Sequence, residues 1–306
     1  MRRLIKIIPI PISGLMLALA ALGNLVGSYS NDLRYVLGSF STLLFIILTL
    51  KIILNFEQIR NGFDKPIIAG VMATYPMTMM ILSTYIIRFY NILSKGLFSL
   101  GVLIHIFIIL IFIKKYLLKF DINNFLPTNF IVFTGITCAS VASKALSMET
   151  IGKVFFWVGL AGLIVMYPLV TKRMINNRLK GKIIPIFAIY TAPTSLCLAG
   201  YLSTYSKSDA MFYFLIAFAT LNLIIVLSQI PKILRTEFNP TYSALTFPFV
   251  ITAIAIKMSN ISTIYTNITT LISIGFVMYV FSMYSRMLIS QLSENEIGSK
   301  GREILT

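Results

Sequence analysis

The chain has 306 residues, 57% hydrophobic and only 12% charged, with a mean hydropathy of +0.87. Soluble domains carry about 25% charged residues, so this composition argues against a water-soluble enzyme or binding module. The net charge of +16, from 26 Lys+Arg against 10 Asp+Glu, would point to nucleic acid in a soluble protein; here the cations stand between long apolar runs, where they set membrane topology, and no nucleic-acid partner is expected.

The first residues, Met1-Arg2-Arg3-Leu4-Ile5-Lys6, imitate a secretory signal, but the apolar run continues to about Tyr29 and reads as an uncleaved first helix. Apolar stretches follow at 10–28, 35–55, 66–87, 97–113, 125–145, 152–174, 183–205, 210–230, 242–256 and 265–289. At roughly 20 residues per crossing each can span a bilayer, the ninth marginally. Continuous apolarity lacks the alternation of a membrane β-barrel. The expectation is an all-α polytopic membrane protein with ten transmembrane helices in one domain, 1–306, and the lipid bilayer as its surroundings. Cys138 and Cys197 both lie inside apolar runs, so neither a disulfide framework nor a metal site is indicated.

With ten spans, nineteen Lys and Arg fall on the side of the N-terminus and seven on the other. That asymmetry over short loops places both termini in the cytoplasm of a multi-pass cell-membrane protein, and it favours an even number of spans.

Small residues and prolines recur at similar depth in the odd-numbered spans. The first has Pro9-Ile10-Pro11-Ile12-Ser13-Gly14, the third Thr74-Tyr75-Pro76-Met77-Thr78, and the fifth Thr134-Gly135-Ile136-Thr137. The seventh has Thr191-Ala192-Pro193-Thr194-Ser195 and the ninth Thr246-Phe247-Pro248-Phe249. Positions 11, 76, 135, 193 and 248 repeat about every 58 residues, the length of a helical hairpin. A mid-span proline removes a backbone hydrogen bond and bends the helix. Such a break is tolerated at membrane depth where the freed groups face protein or a water-filled cavity. Five broken helices are most simply arranged as a ring around a central passage, with the even helices outside; packing alone also enriches Pro and Gly in membrane helices.

The odd spans hold essentially no ionisable side chain in their cores, where proton-coupled carriers usually keep one. Asp32, Asp64, Asp121 and Asp209 stand alone in loops, and no metal, phosphate-loop or paired-Asp motif occurs. No enzymatic activity and no cofactor are expected. His105, mid-way along the fourth span, is a functional candidate by its depth; on a peripheral helix it serves instead to hydrogen-bond a neighbour. What remains is a pathway lined by Ser and Thr hydroxyls, small residues and aromatics. Such weak sites suit anions that must bind and leave.

The first-span motif leading into Leu17-Ala18-Leu19-Ala20-Ala21-Leu22-Gly23-Asn24 resembles the first helix of the tellurite-resistance/dicarboxylate transporter family, which includes bacterial TehA-like proteins and plant guard-cell slow anion channels. Thr246-Phe247-Pro248 is similar to that family's ninth-helix segment, and Thr191-Ala192-Pro193 with Leu198-Ala199-Gly200-Tyr201-Leu202-Ser203 to its seventh. The resemblance implies ten helices in five hairpins with quasi-five-fold symmetry, a central pore per subunit and a homotrimer. It also implies that Phe247 is the pore's gate, with Phe249 as the fallback if the register slips. Pore-lining candidates are Pro11, Ser13, Gly14, Pro76, Thr78, Thr134, Gly135, Pro193, Thr194 and Pro248. The function expected is passive conduction of small monovalent anions; the rival reading is a secondary carrier for C4-dicarboxylate, tellurite or sulfite.

Overall fold

Among the residues described by the computed structural model, 2–207 and 210–303, there is no β-strand, and nine helices are long and apolar enough to cross a membrane. Asp209 lies outside the described residues. We number the helices α1 (Ile12–Val26), α2 (Asn31–Leu54), α3 (Pro66–Ile86), α4 (Asn91–Leu117), α5 (Thr128–Leu146), α6 (Glu149–Asn176), α7 (Gly181–Thr204), α8 (Ala210–Leu234), α9 (Pro240–Ser259) and α10 (Thr263–Ser293). At 15 residues α1 is shorter than the other nine; a one-and-a-half-turn helix, Arg2–Ile7, precedes it across the Pro9–Pro11 break. The protein is an all-α polytopic membrane protein.

Burial divides the helices into two sets. In the most apolar stretches of α3, α5, α7 and α9, 72–89% of residues are buried, against 28–39% for the even helices. Every residue of α1 except Asn24 is buried. Even helices turn Leu43, Phe107, Ile164, Leu221 and Leu271 outward, as a lipid-facing surface requires. Helix α1 packs on α3, α3 on α5, α5 on α7, α7 on α9, and α9 returns to α1, so the odd helices close a five-membered ring. Each even helix pairs with the odd helix before it and reaches the next one, which makes five hairpins with the even members outside.

All five ring helices are broken near mid-depth: before Ile12 in α1, at Ala73 in α3, at Thr134 in α5, at Thr191 in α7 and at Thr246 in α9. The prolines act differently from a simple kink. Pro11 is the N-cap of α1, while Pro193 and Pro248 occupy the first turn of the helical segments that start at Ala192 and Phe247. A proline there loses no intrahelical bond, because its missing N–H would be unpaired anyway. In α5 a 3-10 turn at Gly135–Thr137 makes the break without proline.

Side chains take up the carbonyls that the breaks release. Lys51 of α2 donates to the carbonyls of Lys6 (3.0 Å) and Ile8 (2.7 Å). Thr74 donates to Val71 O at 2.7 Å and Thr246 to Ser243 O at 2.6 Å, with Gly14 O of α1 3.2 Å from the same Thr246 hydroxyl. These contacts pair backbone carbonyls at the breaks.

Candidate permeation pathway

The axis of the ring holds two cavities. The first, a narrow space of about 40 Å³, lies on the side of the N-terminus and is bordered by all five odd helices. Its wall is mostly apolar, with Ile67, Val71, Met77, Ile131, Ile189 and Leu196 among its residues, and no charged side chain lines it. The second, about 370 Å³, opens at the opposite end between α1, α2, α3, α5 and α9, where Arg34 and Lys257 face it. Among the described residues, Phe247 alone borders both. It is 5% exposed and is the first residue of the helical segment that follows the α9 break. The unusual backbone of Thr246, φ −98° and ψ −86°, sets the direction in which that segment leaves.

Phe249 stands elsewhere. Its ring packs against Phe276 of α10 at 4.6 Å between centroids, and it borders neither cavity. Two residues further along a helix is about 200° around its axis, so the two phenylalanines of this motif diverge.

Of the expected lining residues, Pro11, Gly14, Thr134, Gly135, Pro193 and Pro248 border the first cavity. Ser13, Pro76, Thr78 and Thr194 border neither, and each is engaged with a neighbour. Ser13 Oγ lies 2.7 Å from Thr74 Oγ1, and Thr78 donates to Thr74 O at 2.8 Å. Thr194 accepts from Asn222 of α8 at 3.3 Å, and the Pro76 carbonyl lies against Gly101 of α4. The hydroxyls of Ser13, Thr78 and Thr194 are thus engaged with backbone or neighbours, and the hydroxyl residues that border the first cavity are Thr74, Thr134, Thr241 and Ser243. Thr134 differs: it lines the first cavity with a buried hydroxyl that has no hydrogen-bond partner.

His105 of α4 is fully buried and borders neither cavity. Its Nε2 is 2.9 Å from Val132 O, just before the α5 break. A carbonyl can only accept, so Nε2 carries the proton. The ring sits behind Gly135, where a Cβ would lie 3.0 Å from His105 Cε1 and 2.8 Å from Met77 Sδ. His105 thus supports the broken wall from outside the ring. The apolar lining residues were missed in the sequence because every position in these spans is apolar; only the helix-break register selects those that face the axis.

Two comparisons with known proteins bear on this geometry. Residues 9–289 match the SLAC1 family, described as voltage-dependent anion channel. The chain belongs to this family. It is also 22% identical over 282 residues to the tellurite resistance protein TehA homolog of Haemophilus influenzae, covering 90% of this chain and 84% of that protein. The family is one of membrane transporters and channels, and anion movement across the bilayer is the activity it points to.

Proposed function

We propose that the protein is a channel that conducts small monovalent anions passively across the cell membrane, along the axis of the odd-helix ring, with Phe247 occluding the path. The observation that carries this reading is the pair of axial cavities that, among the described residues, share Phe247 alone. An aromatic ring across a narrow apolar passage excludes water and therefore ions. Gly14, Gly135 and the first-turn prolines supply a lining on which an anion finds no fixed cation to hold it. In this reading the chain makes ten crossings, both termini face the cytoplasm, and three copies assemble with one pore each.

A coupled carrier for C4-dicarboxylate, tellurite or sulfite needs a group that binds and releases the coupling ion, and the first cavity is lined by no ionisable side chain. The test is chloride or nitrate flux into liposomes holding purified Phe247→Ala protein. Flux that follows the anion gradient and membrane potential, unchanged when an uncoupler collapses the proton gradient, supports the channel. Uphill accumulation driven by a pH gradient overturns it.

A further inference from the structure

The second cavity carries a feature that the gate does not explain. Arg34 and Lys257 come from helices far apart in sequence, yet both border this space beside Phe247. Both are fixed in place. Arg34 donates from Nε to Asn24 Oδ1 at 3.1 Å and from Nη2 to Thr84 O at 2.9 Å, and its guanidinium lies 4.8 Å from the Tyr85 ring centre. Lys257 donates to Leu25 O at 2.8 Å and to Ser28 Oγ, with the Tyr29 ring 4.4 Å away. Every one of these partners is neutral. Among the described residues no carboxylate lines the cavity, and their one ion pair, Lys115–Asp64, involves neither cation.

Tying down the last carbonyls of α1 and α3 is a structural role that cations at helix C-termini often fill. It uses only part of the five donors of a guanidinium and the three of an ammonium. It also leaves two positive charges uncompensated at the mouth of the path, whereas the first cavity has none. We propose that Arg34 and Lys257 form a capture site for small inorganic anions on one side only of Phe247, the side facing away from the cytoplasm. Its place in permeation rests on the channel reading above; its attraction for anions does not.

At about 7 Å in water a unit charge changes the local concentration of a monovalent ion about threefold. The effect fades with salt, since the screening length falls from about 30 Å at 0.01 M to about 3 Å at 1 M. The first assay needs no conduction. Met258, which borders the cavity, is replaced by cysteine, and its modification rates by a sulfonate-bearing and a trimethylammonium-bearing thiosulfonate reagent are compared at about 0.01 M salt. Arg34→Gln and Lys257→Gln should each slow the anionic reagent and speed the cationic one about threefold, so the ratio of rates falls about ninefold per charge. Arg34→Lys and Lys257→Arg keep the charge and should keep the ratio, which guards against a folding defect being read as an electrostatic one. An unchanged ratio in the Gln variants, or an equal fall in the charge-keeping variants, overturns the site.

The second assay uses the Phe247→Ala background. The chloride concentration giving half-maximal current from the outer face should rise about threefold per charge removed, with no change from the cytoplasmic face. An equal rise from both faces overturns the one-sided placement. If no variant carries current while the reagent ratio shifts as stated, the capture site stands and the channel reading fails.

Discussion

Gly135→Ala adds a single methyl group where the structure leaves no room for it. The new Cβ would stand 2.8 Å from Met77 Sδ and 3.0 Å from His105 Cε1. Glycine is needed here for space and not for backbone shape, since Gly135 has no positive φ. The end of Met77 can swing aside; the imidazole cannot move without giving up its bond to Val132 O. Overpacking of this kind costs about 1–3 kcal/mol. A buried carbonyl left without its donor costs about 1–3 kcal/mol, so the ring and the methyl compete for the same small margin. A net loss of about 2 kcal/mol corresponds to a fall in Tm of about 4–8 °C by the 2–4 °C per kcal/mol typical of chains of 150–250 residues. The assay is thermal unfolding of purified protein in detergent for Gly135→Ala, His105→Ala and the double variant. Removing the imidazole makes room for the methyl, so the second change should cost less than about 1 kcal/mol in the His105→Ala background. Residues in contact show coupling of about 0.5–3 kcal/mol. Strict additivity, or a Gly135→Ala protein as stable as wild type, refutes the packing argument and with it the supporting role of His105.

Two further outcomes follow from the helix breaks and the loops. Lys51→Ala strips the carbonyls of Lys6 and Ile8 of a buried donor and should cost about 1–3 kcal/mol, with Lys51→Arg retaining most of the stability; unfolding of the two variants checks it, and an unchanged Lys51→Ala refutes it. A cysteine at Ser147, in the loop between α5 and α6, should be labelled by impermeant reagents from outside intact cells, and labelling from the cytoplasmic side alone would reverse the proposed topology.

The hairpin order and the inner and outer sets were legible in the sequence, because the break residues recur in the odd spans alone and a broken helix must be shielded from lipid. Phe247 stood out in the sequence by its resemblance to the family's ninth-helix segment, and the structure puts it at the border of two cavities. The finer lining was not legible. Pro11, Pro193 and Pro248 sit at the cap or in the first turn of their segments and border the first cavity, whereas Pro76 is the third residue of its segment, Thr74–Ile86, and borders neither cavity. Each residue turns a helix by about 100°, so reading the break a position or two late moves a side chain off the axis. Where the hydroxyls of Ser13, Thr78 and Thr194 go depends on packing that the sequence does not spell out: Ser13 meets Thr74 of the next hairpin, Thr78 a carbonyl one turn back in its own helix, and Thr194 meets Asn222 of its hairpin partner. For the same reason Arg34 and Lys257 read as ordinary loop cations in a charge count; only the closing of α9 onto α1 brings them to one cavity.

The most direct test of the gate is the chloride or nitrate current of wild type, Phe247→Ala and Phe249→Ala at matched surface expression. Transfer of a charge into apolar membrane interior costs at least about 3 kcal/mol, which at a plugged constriction corresponds to more than a hundredfold in rate. Phe247→Ala joins the two cavities and should raise current by about that factor. Its stability cost should fall below the roughly 3–5 kcal/mol of a packed core Phe→Ala change, since cavities flank the ring. Phe249→Ala should pay that full cost at its contact with Phe276 and leave the path shut. A Phe247→Ala protein as silent as wild type, or a current opened by Phe249→Ala alone, would contradict the assignment of Phe247 as the barrier.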